Sequence, residues 1–153
     1  MGEIQIKDIS KAFDQTQVLN NIDLDIPDGS FTIILGPSGS GKSTLLRILS
    51  GLETSDGGEI WISGKDVTHA EPKDRQVAMV FQNYALYPHM TAFKNVEYSL
   101  KIKKVPKEER RKKVMEALHT VELEDQYKKL PGQMSGGQRQ RVALARAIVK
   151  NPE

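Results

Sequence analysis

Cysteine is absent from the 153 residues, which removes disulfides, thiol nucleophiles and thiolate metal sites and suits a reducing compartment. Long apolar runs are missing as well: the longest, at residues 77–81, is far short of the roughly 18 residues that a membrane-spanning helix needs. The first ten residues, MGEIQIKDIS, alternate in polarity and include an acid, so they have neither the basic start nor the apolar stretch of a signal peptide. Nor is there an excess of one charge. Lys and Arg number 22 against 20 Asp and Glu, a formal net charge of +2, so no global field singles out nucleic acid as a partner. No internal repeat, low-complexity tract or clear linker interrupts the chain. These absences point to a cytoplasmic protein, and the apolar fraction of 38% is enough for one domain with a real core.

What the chain does carry is a change of period along its length. Ile4 and Ile6 alternate with Glu3, Gln5 and Lys7, and Ile22, Leu24 and Ile26 alternate with Asp23 and Asp25, the pattern of half-buried strands. Turn residues around Ser55–Gly58 and Ser63–Asp66 bracket a further short strand, which predicts a small antiparallel region. Residues 31–35 and 77–81 are almost continuously apolar and are expected to be strands covered on both faces. Leu45, Leu46, Ile48 and Leu49 follow at helical spacing, with Gly51 where the helix would stop. Beyond Pro88 the pattern is helical: Val114, Leu118 and Val121 share a face in the segment that Pro106 opens, and Val142, Ala145, Ile148 and Val149 share one in a last helix that Asn151 and Pro152 end.

Between the apolar run at 31–35 and the helix after it lies GPSGSGKS, comprising Gly36, Pro37, Ser38, Gly39, Ser40, Gly41, Lys42 and Ser43. It matches GxxxxGK[ST], a pattern that chance produces in about one chain of this length in two hundred. Its place between a strand and a helix is what phosphate binding requires. Glycines let successive N–H groups face one concavity, and the helix start adds partial positive charge. Lys42 is then placed to reach the β- and γ-phosphates, Ser43 to offer its hydroxyl to Mg²⁺, and Thr44 to approach the α-phosphate side. A second glycine turn, Ser135, Gly136, Gly137 and Gln138, follows Met134 and has capping-box spacing. By itself it reads as a glycine-containing helix cap.

The phosphate loop, Gln82 after the run at 77–81, and the SGGQ turn followed by QRQRVALARAI together resemble the nucleotide-binding subunit of ABC transporters over essentially the whole chain. The resemblance implies an α/β fold of the phosphate-loop nucleoside triphosphatase type, with an antiparallel β region and a helical subdomain. On this reading residues 1–87 and 135–153 form the ATPase core and 88–134 the helical part. The cofactors implied are ATP and Mg²⁺, with Lys42 and Gln82 as catalytic residues and Ser43 and Gln82 nearest the metal. Phe13 looks like the aromatic that stacks on adenine, with Val18 beside it; filling a core is the alternative for Phe13, and a polar strand end the alternative for Gln82. The SGGQ turn matches the signature that caps ATP bound by a second copy, which implies a head-to-tail dimer. Met134 stands where the family's signature has Leu, an apolar replacement expected to pack. His69, His89 and His119 match no catalytic position.

The stretch QNYALYPHMT with LPGQMSGGQRQRVALARA looks most like the ATPases of carbohydrate importers. That implies integral membrane permease subunits as partners, docked at Leu86, Tyr87, Pro88 and Met90, for each of which an ordinary loop packed on its own subdomain is the alternative, a solute-binding protein indirectly, and a position on the inner face of the membrane. Alternatives are a non-catalytic nucleotide-binding fragment and a soluble ABC ATPase acting on nucleic acid. Residues 101–113 hold eight basic and two acidic side chains; interleaved acids favour a solvated helix face over a nucleic-acid patch, and contact with anionic lipid heads stays open. The family's catalytic Glu and switch His fall beyond residue 153. Expected consequences are poor hydrolysis by these residues alone and exposed apolar edges in the place of a covered sheet.

Overall fold

The computed structural model describes residues 2–150, and they form two compact units, one running to Val77 and the other starting at Ala78. In the first unit, β1 (Ile4–Phe13), β2 (Thr16–Ile26), β3 (Gly57–Ile62) and β4 (Lys65–Asp66) form an antiparallel sheet in the order β2-β1-β3-β4. Ile4 pairs with Ile26 on one side and Ile62 on the other, and Phe13 pairs with Thr16 across a two-residue turn. Ile6, Ile9, Leu19, Ile60 and Ile62 turn inward, where they meet Leu45 and Ile48 of helix α1 (Lys42–Leu49), and of the alternation read from the sequence Ile6 is buried while Ile4, Ile22 and Leu24 are partly buried against this core.

Helix α1 stops where Gly51 predicts. Gly51 takes φ 75, its N–H donates to the Ile48 carbonyl and that of Leu52 to the Arg47 carbonyl, the two bonds of a Schellman end. A buried guanidinium completes it: Arg75, 4% exposed, donates to the carbonyls of Ile48, Leu49, Thr68 and Ala70. A cation at a helix C-terminus meets the negative end of the dipole.

In the second unit α2 (Ala92–Ile102), α3 (Lys107–Thr120) and α4 (Gly136–Ile148) pack around Val96, Leu100, Val114, Leu118, Leu123, Met134, Val142 and Ala145. The expected stripe Val114, Leu118 and Val121 is buried, and Met134 fills the core at 5% exposure. On α4 the expected face is narrower than its pattern. Val142, Ala145 and Val149 are buried, but Ile148 is 38% exposed, because at 100° per residue it falls to the edge of that stripe. Asn151 and Pro152, expected to end this helix, lie outside the described residues. Most of the basic stretch is exposed, with Lys113 paired to Glu109 at 2.7 Å, while Arg110 is half-buried and pairs with Glu97 at 2.9 Å. Among the described residues no helix is long and apolar enough to cross a membrane.

The two expected covered strands do not form. Residues 31–35 and 77–81 join no ladder, and Phe31, Ile33 and Leu35 are 90%, 63% and 86% exposed, with Ile34 alone of this run packed against the core. A continuous apolar run records that a segment can be covered on both faces; it does not supply the neighbouring strand that must donate and accept its hydrogen bonds.

Candidate functional site

The phosphate loop is built at the start of α1. Gly41 precedes the helix at φ 72, and a Cβ there would sit 2.7 Å from the Val18 carbonyl oxygen and 2.9 Å from Val18 Cγ1. Gly39 also has positive φ, at 82. The loop therefore wraps against β2 with no room for a side chain at its last turn. Leu45 N–H donates to the Gly41 carbonyl, so the N–H groups of Lys42, Ser43 and Thr44, in the first turn, have no intrahelical acceptor. Lys42 folds back over the loop, its Nζ donating to the carbonyls of Gly36 at 3.0 Å and Pro37 at 2.9 Å. An ammonium has three donors, so one remains. Ser43 is exposed and Thr44 half-buried. Clustered N–H donors, a free ammonium donor and an open hydroxyl fit a polyphosphate with a divalent cation.

Val18 is brought directly to this loop, as its contacts with Gly41 show. Phe13 stands at the end of β1, 45% exposed, too open for a residue whose work is to fill a core. The Lys11 ammonium lies 5.1 Å from its ring centroid. Lys11 is itself only 8% exposed and pairs with Glu53 at 3.2 Å and Asp56 at 3.3 Å. The bond to Glu53 raises the Lys11 pKa above its ordinary value. The same bond lowers that of Glu53, whereas Asp56 is lowered first by the Ala12 N–H that its carboxylate accepts at 2.7 Å.

The second unit holds Gln82 and the SGGQ turn. Ser135 caps α4: its Oγ accepts from Gln138 N–H at 3.2 Å and its own N–H donates to Gln138 Oε1 at 2.9 Å, the expected capping box. Added Cβ atoms at Gly136 and Gly137 would meet nothing within 4 Å, so the outer side of this helix start is open. Gln82 is exposed at the head of a turn in which Tyr84 and Ala85 take positive φ, 63 and 44. Arg146 holds that turn by donating to the carbonyls of Ala85 at 2.7 Å and Tyr84 at 3.2 Å, and its burial lowers its pKa.

Several anchors escaped sequence reading. Asn95, fully buried, accepts from Tyr87 N–H at 2.8 Å and donates to the carbonyls of Met90 and Thr91, so it fixes the loop that carries Pro88. An Asn inside a helix is the signal that was available, because its side chain competes with helical backbone unless it has other work. Arg75, Arg146 and Lys11 gave no such signal. Beside the loop lies a groove of about 470 Å³ lined by Met79, Phe81, Tyr87, Tyr98, Arg146 and Lys150. Tyr87, 36% exposed, is therefore available at the groove, with Leu86 turned partly into the core.

Three comparisons bear on these features. The ABC transporter family model matches residues 19–153. Among curated relatives, the sn-glycerol-3-phosphate import ATP-binding protein UgpC of Ralstonia nicotianae is 51% identical over 99% of this chain and 42% of its own length. The spermidine/putrescine import ATP-binding protein PotA of Thermotoga maritima is 48% identical over 99% of this chain and 41% of its own. The chain thus spans about two fifths of the length of these relatives. Among solved structures, a dimeric ATP-binding cassette in a post-hydrolysis state with ADP and phosphate superposes with a TM-score of 0.87 at 38% identity, covering 97% of this chain and 70% of that one. The fold is accordingly that of the ABC ATPase cassette.

Proposed function

The chain belongs to the ABC transporter family, and from its phosphate-loop geometry we propose that it is the nucleotide-binding part of an importer's ATP-binding subunit. The observation that carries the proposal is the loop itself: Gly41 pressed against Val18, Lys42 folded inward with a donor to spare, and a helix start with free N–H groups. The loop N–H groups and the α1 dipole hold the phosphates, Lys42 offers its remaining donor to them, and Ser43 offers its hydroxyl to the metal. Mg²⁺, when bound, supplies charge neutralisation across the β- and γ-phosphates. Phe13 and Val18 meet the adenine, and Gln82 orients the attacking water. The open SGGQ turn covers nucleotide held by a second copy in a head-to-tail dimer; the similar cassette structures are dimeric. Residues 1–87 with 135–153 serve as the ATPase core and 88–134 as the helical subdomain.

For the whole protein we propose ATP hydrolysis that powers solute uptake through permease subunits, beneath the inner face of the membrane and with a solute-binding protein upstream. The groove beside Tyr87 supports permease docking because its apolar walls suit a helix from a membrane partner. A polar organic solute of the sugar type is the proposed cargo; relatives named for sn-glycerol-3-phosphate and for spermidine/putrescine match about equally, so these residues are not where cargo is chosen.

The test is titration of the whole protein with a fluorescent ATP analogue. Lys42→Ala is expected to weaken binding about 10- to 100-fold, the worth of one or two lost charged hydrogen bonds; equal affinity refutes the loop assignment. Co-purification with integral membrane subunits supports the importer reading, whereas salt-sensitive binding to DNA or RNA supports a nucleic-acid ATPase.

A further inference from the structure

We propose that Lys11 is a positioning residue for Phe13 and, through that ring, sets how well the site grips the adenine base; the inference rests on the reading of Phe13 as the base-stacking ring. The end of β1 is paired irregularly. Pairing with β2 shifts register between Ile9 and Lys11 and again between Lys11 and Ala12 before Ala12 meets Gln17 and Phe13 meets Thr16, so the ladder reaches Phe13 only through two irregularities. A side-chain lattice reinforces it there. Asp56 accepts the Ala12 N–H with one oxygen and the Lys11 ammonium with the other, its own N–H donates to the Ser10 carbonyl, and Glu53 takes a second ammonium donor. Residues 10 to 12 are thereby fixed from three sides immediately before the aromatic.

Lys11 is buried and its ammonium lies over the Phe13 ring, 5.1 Å from the centroid, while Phe13 is 45% exposed; on this proposal the face away from the ammonium is the open one. A cation on one face draws the π electrons toward itself. The open face is then less electron-rich and a better platform for an electron-rich purine. Filling a core would call for neither an open face nor a cation beneath it. The two carboxylates also answer the Lys11 charge, so this lysine is not offered to phosphate. Its effect should therefore fall on the base alone.

The experiment titrates the whole protein, in Mg²⁺, with ATP and separately with inorganic tripolyphosphate, which has the phosphates and no base. For Lys11→Met we expect ATP affinity to fall about five- to tenfold with tripolyphosphate affinity unchanged, and Lys11→Arg, which keeps the cation, to recover most of the loss. Unchanged ATP affinity in Lys11→Met overturns the proposal. Parallel loss of both ligands, also in Lys11→Arg, overturns it in favour of a purely structural lysine. If wild-type protein binds tripolyphosphate as tightly as ATP, the base-stacking role of Phe13 fails, and Lys11's with it. If it binds neither ligand, the phosphate-loop reading itself has failed, a result distinct from any Lys11 outcome.

Discussion

Two lysines of the first unit carry the same charge in opposite settings. Among the described residues Lys42 donates to backbone carbonyls, which satisfy hydrogen bonds without cancelling charge, so its positive charge remains available to a polyphosphate. Lys11 is paired with two carboxylates and is spent within the protein. Between them, Gly41 decides whether the loop can close at all. Gly41→Ala forces a side chain into positive φ and to 2.7 Å from the Val18 carbonyl, and it is expected to cost about 1–3 kcal/mol in urea unfolding. Nucleotide affinity should drop with it, since the loop must move off β2 to make room. A variant as stable as wild type would show that the loop does not press on Val18.

Each element carries its own end condition. The capping box of α4 satisfies two orphan backbone groups reciprocally, so Ser135→Ala is expected to destabilise the second unit by about 1 kcal/mol, read from the urea midpoint. The end of β1 depends instead on ionisation. The Glu53 and Asp56 pKa values lie below their ordinary 4.5 and 3.8, and that of Lys11 above its ordinary 10.5. Groups with depressed pKa stabilise above their unfolded values and lose that as pH falls through the folded ones; a raised lysine stabilises below 10.5 and loses that as pH rises through its folded value. The network's contribution is therefore full from about pH 4.5 to 10.5 and declines outside that window. Urea unfolding across pH should show both declines in wild type, and the alkaline one should be weaker in Lys11→Met. A profile unaltered by Lys11→Met would remove this network from the stability of β1.

For the molecule as a whole, each unit has a core of its own among the described residues, while the apolar segment at 31–35 is left largely uncovered. Phe31, Ile33 and Leu35 form an uncharged, β-prone stretch with most of their side-chain surface in water, the profile of a segment that recruits other strands. These 153 residues are expected to self-associate, and Ile33→Lys to reduce it, because a charge at a 63% exposed position blocks strand stacking at little cost to folding. Light scattering with unchanged circular dichroism checks this. Equal scattering by the variant would place the association elsewhere.

How much was legible varies with the range of the interaction. Strand alternation in β1 and β2, the Val114–Leu118–Val121 stripe, the stop at Gly51, the phosphate loop and the Ser135 capping box are all local, set by spacing and backbone preference over a few residues, and the sequence alone determined them. Residues 31–35 and 77–81 misled for the same reason: apolar runs declare a wish for cover but not the partner that provides it. Tertiary structure decided what lies far apart in the chain. Asp56 reaches the end of β1, Arg75 the end of α1 and Arg146 the turn after Gln82; each is a charged side chain that would read as surface, and only folding supplies the groups that hold it, burying Arg75 while Asp56 stays exposed.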